Sequence, residues 1–110
     1  MTAPAAEDRV FTALADSTRR AVLELLLLRG VMTAGELANA FPDISRPAVS
    51  RHLRLLREAG LIEAVHAGRE WRYELRVRPL AEVQQRWLAQ FAPVMEESLE
   101  RLRAVVEKEK

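Results

Sequence analysis

The sequence predicts a mainly α-helical fold that contains one small β-hairpin. Apolar residues recur every three or four positions as far as Gly60, and they then alternate with polar residues from about 61 to 78. The helical spacing returns from Leu80 onward. A chain of 110 residues suits one domain, or one domain with a dimerisation arm.

The composition excludes several classes of function. The chain has no cysteine, so disulfides, thiolate metal sites and cysteine nucleophiles are excluded. Its most apolar stretch, residues 21–28, contains Glu24 and is too short to span a bilayer. No basic segment precedes an apolar run near Met1, as it would in a signal peptide. We therefore expect a cytoplasmic protein with no membrane partner.

Capping signals predict four helices ahead of the hairpin. Asp16 and Ser17 are both suitable N-caps for the second helix, and Gly30 follows its last turn. Thr33 and Glu36 form a capping box at the start of the third helix. Ser45 in turn precedes the fourth helix as its N-cap. The predicted helices span residues 8–14, 18–29, 34–41 and 46–59.

The change in the spacing of apolar residues after Gly60 predicts a hairpin and then a final helical segment. Residues 61–66 are predicted to form one strand, Ala67 and Gly68 the turn, and residues 71–78 the return strand. The segment after Leu80 is predicted to be helical, with a break or kink at Pro93.

Positive charge is concentrated in the predicted fourth helix. The whole chain has a net charge of +1, but residues 44–60 alone carry +3, because four arginines there stand against the single acid Glu58. A basic patch on a nearly neutral protein is typical of a polyanion site.

The third and fourth helices, separated by a Pro-Asp turn and followed by the hairpin, have the order of a winged helix-turn-helix. Helical spacing places Val49, Leu53 and Leu56 on one side of the fourth helix, with His52 at the edge. The other side carries serine and arginine, which can bind phosphates or guanine in a major groove. The candidate DNA-binding residues are Ser45, Arg46, Pro47, Ser50, Arg51, His52, Arg54 and Arg57, with Arg69 and Arg72 in the wing.

The same residues permit other interpretations. The arginines alternatively form a solvated surface, and Glu63, Glu70 and Glu74 dilute the charge of the wing. A winged helix that binds another protein would be expected to expose apolar anchors instead. An enzyme is disfavoured, because the spacing shows no Ser-His-Asp arrangement, phosphate loop or paired carboxylates.

The aromatic residues are spaced as core or dimer residues, and the alternative is that they line a ligand pocket. If an effector exists, we expect its pocket between the last helix and the winged domain. The aromatic residues concerned are Phe11, Phe41, Trp71, Tyr73, Trp87 and Phe91.

Several motifs in the same order resemble the ArsR/SmtB family of bacterial repressors, and the likeness runs from about residue 8 to residue 107. It is greatest to the SdpR-like branch, which lacks thiol ligands. The resemblance implies a dimeric winged helix that represses its own operon, with the fourth helix in the major groove and the terminal helices forming the dimer. The motifs are residues 14–20 (LADSTRR), 35–38 (GELA), 45–53 (SRPAVSRHL) and 58–62 (EAGLI), with Gly68, Arg69, Tyr73 and Leu75 in the wing.

The sequence departs from the metal-sensing members of that family. Some of those members place cysteines in the third helix, where this chain has residues 37–40 (LANA). Others place Asp and His ligands in the last helix, which in this chain has no histidine. The only histidines are His52 and His66, and a divalent metal needs three or four convergent ligands. We expect no metal and no cofactor, with a metal- or small-molecule-responsive repressor as the alternative.

Apolar residues also recur at helical spacing from Leu80 to Val106. A continuous stripe of about seven turns would extend roughly 40 Å, longer than a domain of this size can cover, so we expect it to pair with a second copy. A tail (1–7), a winged helix-turn-helix domain (8–79) and dimerisation helices (80–110) would then bind a palindromic double-stranded operator as a homodimer. The predicted dimer residues are Val10, Phe11, Leu14, Val83, Trp87, Phe91, Met95, Leu99, Leu102 and Val106.

Overall fold

A computed structural model describes residues 5–108, and it confirms a mainly helical fold with a small hairpin. The chain forms two compact units, one ending at Leu80 and the other beginning at Ala81. In chain order the elements are α1 (Ala5–Leu14), α2 (Ser17–Arg29), β1 (Met32–Thr33), α3 (Ala34–Ala40), α4 (Arg46–Glu58), β2 (Ile62–Ala67), β3 (Glu70–Leu75), α5 (Arg78–Arg86), a 3-10 turn (Leu88–Phe91) and α6 (Ala92–Lys108).

The link between α1 and α2 is stabilised at both helix ends. The Asp16 carboxylate, and not Ser17, caps α2 by accepting a hydrogen bond from the Arg19 backbone N–H at 3.0 Å. The last carbonyls of a helix have no partner within the helix. Here the Arg19 and Arg20 side chains donate to three of them, those of Thr12, Ala13 and Leu14.

The predicted caps of α3 and α4 are confirmed. The Glu36 backbone N–H donates to Thr33 Oγ1 at 3.1 Å, and the Thr33 N–H donates to Glu36 Oε1 at 3.2 Å. Ser45 Oγ accepts from the Ala48 N–H at 3.2 Å, which satisfies one free donor in the first turn of α4.

The sheet has three antiparallel strands in the order β1-β3-β2. Ala67 pairs with Glu70, so the turn consists of residues 68 and 69, and the predicted turn at residues 67 and 68 is wrong by one position. Gly68 takes a φ of +65°, a conformation that glycine adopts without strain. The strand β1 was not predicted from sequence, because two residues are too short to show a period.

The first unit buries a core to which α2, α3, α4 and the strands all contribute. Val49, Leu53 and Leu56 on α4 are buried, as the helical spacing predicts. The residues buried most completely are Val22, Leu26, Met32, Leu37, Leu56 and Leu61.

The second unit is not one continuous helix, so the predicted seven-turn stripe is wrong. The helix α5 ends at Arg86, a 3-10 turn follows, and α6 begins at Ala92. Pro93 lies in the first turn of α6, where its missing N–H has no intrahelical partner to lose. The interruption therefore precedes the proline. Within the described range 5–108, no helix has the length and apolar character needed to cross a membrane.

Candidate nucleic-acid interface

The helix α4 has one buried face and one exposed face. Val49 and Leu53 are buried, and Leu56 is 0% exposed. Pro47, Ser50, Arg51 and Arg54 are all exposed to solvent on the other side. The geometry is that of a helix held by a scaffold with its polar face available to a ligand.

The arginines of α4 have few protein partners to lose. Among the described residues, the side chains of Arg51 and Arg57 make no hydrogen bond or ion pair. Arg54 Nε lies 4.0 Å from Glu58 Oε1 in an exposed pair, a type that contributes little to stability. Arg46 donates to Asn39 Oδ1 at 3.3 Å on the surface. All four guanidinium groups can therefore turn to a polyanion at small cost.

The helical spacing divides these arginines between two directions. Arg51 and Arg54 project from the middle of the exposed face, and Arg46 and Arg57 lie along one flank. Arg54 and Arg57 line an open cleft of about 480 Å³ between α4 and β2, together with Glu58 and Glu63. The cleft joins the exposed face of α4 to the wing.

Part of the negative charge of the wing is neutralised within the protein. Arg76 forms ion pairs with Glu63 and with Glu74, the second at 2.8 Å. Among the described residues Glu70 makes no ion pair. The tip of the wing then carries exposed Arg69 and Arg72 against one unpaired acid. The charges of the wing are therefore separated: residues 69–72 carry two arginines against one acid, a net +1, and the cluster of Arg76 with its two glutamates carries −1.

The aromatic residues do not share one environment, and only Tyr73 lies in the core. Trp71 is 48% exposed on the wing, where its ring meets that of His66 edge to face at 4.7 Å. In the second unit, the Trp87 and Phe91 rings lie 4.9 Å apart. Trp71 was expected to be a core or a dimer residue, and it is not a core residue, because its position on β3 lies beyond the buried end of the strand. A role for it in a dimer stays a prediction.

A polar contact beside α4 was not predicted from sequence. His52 Nδ1 lies 3.2 Å from Arg19 Nη1 and 3.8 Å from Asp16 Oδ2. The hydrogen bond from the Arg19 backbone N–H is the main cause that lowers the pKa of Asp16, and the charge of the Arg19 side chain adds to it. The N-cap position of Asp16 indicates its contact with the Arg19 backbone, three positions later, but no sequence signal indicates the contact with His52.

Metal ligation has no candidate cluster in the part of the chain that the structure describes. Within residues 5–108, no three side chains of the ligating types converge.

A helix that follows a short turn, exposes arginines and leads directly into a β-hairpin defines a winged helix-turn-helix, a class that binds DNA. A family model described as a helix-turn-helix domain matches residues 14–65, which run from the end of α1 into β2.

Comparison with known proteins gives the family. The chain is 47% identical over 74 residues to the HTH-type transcriptional regulator Rv2034 of Mycobacterium tuberculosis, and the alignment covers 67% of each protein. It is 41% identical over 73 residues to the transcriptional repressor SdpR of Bacillus subtilis, and this alignment covers 66% of the chain and 79% of SdpR. A crystal structure of an ArsR family transcriptional regulator matches with a TM-score of 0.74 at 36% identity, covering 86% of this chain and 95% of the other.

The chain belongs to the ArsR family of transcriptional regulators, and the resemblance found in its motifs is confirmed. Members of this family are DNA-binding regulators and not enzymes. The function of the chain is therefore regulation of transcription through its helix-turn-helix.

Proposed function

We propose that this protein is a repressor that binds a double-stranded operator with α4 in the major groove and the wing beside it. The observation that carries the proposal is the exposed face of α4, where arginines with weak or no protein contacts lie opposite a buried apolar face. The similar protein SdpR is named a transcriptional repressor, which supports repression as the output. A regulator that acts on a bacterial operator would work in the cytoplasm.

Each basic side chain has a role that follows from its position. Arg51 and Arg54 would bind base edges or phosphates in the groove, because they project from the middle of the exposed face. Ser45 and Arg46 lie at the N-terminus of α4, where free backbone N–H groups favour a phosphate. The remaining contacts, to the adjacent backbone or minor groove, would come from Arg57, Arg69 and Arg72.

The test is binding to the DNA upstream of the protein's own gene and to duplexes selected from a random library. Arg51→Ala and Arg54→Ala should each weaken binding by about 1–3 kcal/mol and leave the melting temperature within a few degrees. Arg29→Ala is the matched control, since Arg29 is an exposed arginine in the last turn of α2 and belongs neither to α4 nor to the wing.

The salt dependence gives a second readout of the same proposal. With about 3–5 phosphate contacts per subunit of a dimer, the slope of log K against log salt should be roughly −5 to −9. A double variant of Arg51 and Arg54 that binds the duplex as tightly as wild type would refute the assignment of α4.

We also propose that the protein is a homodimer and that its operator is a palindrome. Met95, Leu99, Leu102 and Val106 recur along one face of α6, and each is between 49% and 62% exposed. A two-fold pair of these faces would bury them and would set two recognition helices about 34–36 Å apart, the spacing of successive major grooves. Trp87 and Phe91 of the same unit are also exposed and are proposed to contribute, whereas Val83 is already buried and is left out. In the first unit, Phe11 is exposed and stays a proposed dimer residue, and Val10 is buried and is left out.

Light scattering tests the dimer. Leu99→Asp with Leu102→Asp should yield monomer and lose cooperative binding to the palindrome, although α4 is unchanged. Ala104→Asp is the control, because it places one such charge on the opposite, exposed face of α6. Wild-type protein that is monomeric at micromolar concentration would exclude the proposed pairing.

Repression of its own gene is a separate part of the proposal. Deleting the gene should raise expression of a reporter placed under its upstream DNA, and restoring wild-type protein should lower it. The double variant of Arg51 and Arg54 should fail to restore repression at equal protein level. Expression that falls on deletion would identify an activator instead.

Release of the operator by metals or thiol oxidation is not expected. The chain has no cysteine, and metal ions and oxidants act most readily on thiolates. Zinc, cadmium, arsenite and peroxide should each leave the affinity for the selected duplex unchanged. A tight, stoichiometric metal effect on that affinity would favour the metal-responsive alternative.

A further inference from the structure

The Arg19 side chain connects three elements of the first unit. Its Nε donates to the Ala13 carbonyl at 2.9 Å and its Nη2 to the Thr12 carbonyl at 3.1 Å, both at the end of α1. Its Nη1 lies 3.2 Å from Nδ1 of His52 on α4. Two carbonyls thus orient the planar guanidinium while its third nitrogen meets the histidine ring, a geometry that a lysine ammonium cannot reproduce.

These distances determine which ring nitrogen of His52 carries the hydrogen. A guanidinium only donates hydrogen bonds, so Nδ1 must accept from Arg19. The alternative, an Nδ1–H that donates to Asp16, would have to span 3.8 Å, which is beyond hydrogen-bond range. The neutral ring therefore holds its hydrogen on Nε2.

The Nε2–H of His52 is left available to a ligand. The His52 side chain is 18% exposed. Within residues 5–108, Nε2 has no protein acceptor. This atom is not fully buried, so it remains in contact with solvent. His52 follows Arg51 directly on α4 and lies on the flank opposite Arg46 and Arg57.

We propose that Arg19 is a positioning residue for DNA binding, which holds the hydrogen of His52 on Nε2 so that this N–H donates to a DNA phosphate beside α4. The inference rests on the proposed function and deepens it. Phosphate oxygens only accept, so the other tautomer would present a lone pair to them and lose the contact. Such positioning contacts make up half or more of the hydrogen bonds in protein–DNA complexes.

The first test is the tautomer of His52 in the free protein, measured by the nitrogen-15 chemical shifts of the two ring nitrogens. Wild type should show a protonated Nε2 and an unprotonated Nδ1. Arg19→Gln should shift the ring towards a mixture of tautomers. Arg20→Gln is the matched control, because Arg20 donates to the neighbouring Leu14 carbonyl at 2.6 Å and has no contact with His52. A wild-type ring protonated on Nδ1 would overturn the inference.

The second test is binding to a duplex that the wild-type protein selects from a random library. His52→Gln places an amide N–H2 near the position of Nε2 and should bind within about threefold of wild type. His52→Asn places its amide near the position of Nδ1 and should bind about tenfold more weakly, or worse, the loss expected for a hydrogen bond to a charged group. Equal binding by the Asn variant and wild type would overturn the proposal.

The salt slope separates a neutral donor from a charged one. A neutral N–H releases no counterion, so His52→Asn should weaken binding without changing the slope. A slope that becomes shallower by about 0.9 for each lost contact would show that His52 binds as an imidazolium, against the proposed tautomer.

The outcomes distinguish this inference from the function on which it rests. If wild type selects no duplex, the proposed function fails and the phosphate contact fails with it. If wild type selects a duplex that the Asn variant binds equally well, only the role of His52 fails. Should Arg19→Gln not fold, the Gln and Asn variants of His52 still decide the question, because both leave Arg19 in place.

Discussion

The helices α4 and α6 have the same kind of apolar periodicity and opposite burial. In α4, Leu53 and Leu56 lie in the core of the first unit. In α6, Leu99 is 60% exposed and Leu102 is 62% exposed. Periodicity thus predicts a helix and the direction of its apolar face, but it does not tell whether the same chain covers that face.

The difference assigns a different kind of site to each helix. Because the apolar face of α4 is covered within the chain, its polar face is the part that is free to bind. Because the apolar face of α6 is exposed, its apolar residues form the surface that we propose to pair with a second copy. The same kind of apolar spacing therefore leads us to propose a nucleic-acid surface in one helix and a protein surface in the other.

The largest effect should come from truncating one leucine in each helix. Leu56→Ala should lower the free energy of unfolding by about 2–5 kcal/mol, because it opens a cavity in the core. Urea unfolding at two protein concentrations should show the same loss at both. Leu102→Ala should instead make the melting temperature less dependent on protein concentration than that of wild type, because it weakens the assembly that stabilises the fold by mass action. A concentration-independent loss of similar size for Leu102→Ala would remove the contrast between the helices.

Local signals account for the parts of the fold that the sequence predicted. The Thr33 and Glu36 capping box, the Ser45 cap and the buried face of α4 all depend on residues within a few positions of each other. Such contacts leave a pattern in the sequence. The exposed arginines of α4 follow from the same spacing, so most of the candidate interface could be proposed in advance.

Two of the features that were missed depend on long-range pairing, and a third is a local break in a helix. The strand β1 exists because Met32 pairs with Tyr73, which is distant in the chain. The contact between Arg19 and His52 likewise joins residues 33 positions apart. The break before α6 was placed at Pro93, but the helix is interrupted before it, since proline is tolerated in a first turn. A one-dimensional pattern holds no record of these pairings.

A smaller effect on stability is expected at the N-cap of α2. Asp16→Ala should cost about 1 kcal/mol of stability. The native pKa of Asp16 is lowered, chiefly by the backbone N–H of Arg19, so its charged form stabilises the fold. That contribution is present above the ordinary carboxyl pKa, near 4, and is lost as the pH falls through the lower native value.

The control for this prediction is Asp16→Asn, which retains a capping oxygen but does not titrate. Chemical unfolding across the acid range should show wild type more stable than the Asn variant near neutral pH, with the difference shrinking as the pH falls. A difference that is constant with pH would show that the charge of Asp16 contributes nothing to the cap.

The smallest effect on DNA affinity should appear at the wing. It tests whether a charge in the wing changes that affinity more than a charge on α6 does. Glu70 makes no ion pair among the described residues and lies beside Arg69 at the tip, so Glu70→Gln should raise affinity for the selected duplex about two- to threefold at low salt. The gain should fade at higher salt, because exposed charges are screened beyond about 10 Å. Glu107→Gln makes the same change of net charge on α6 and should leave the affinity unchanged. Equal gains from both variants would mean that DNA responds to the net charge of the protein and that the wing makes no local contact.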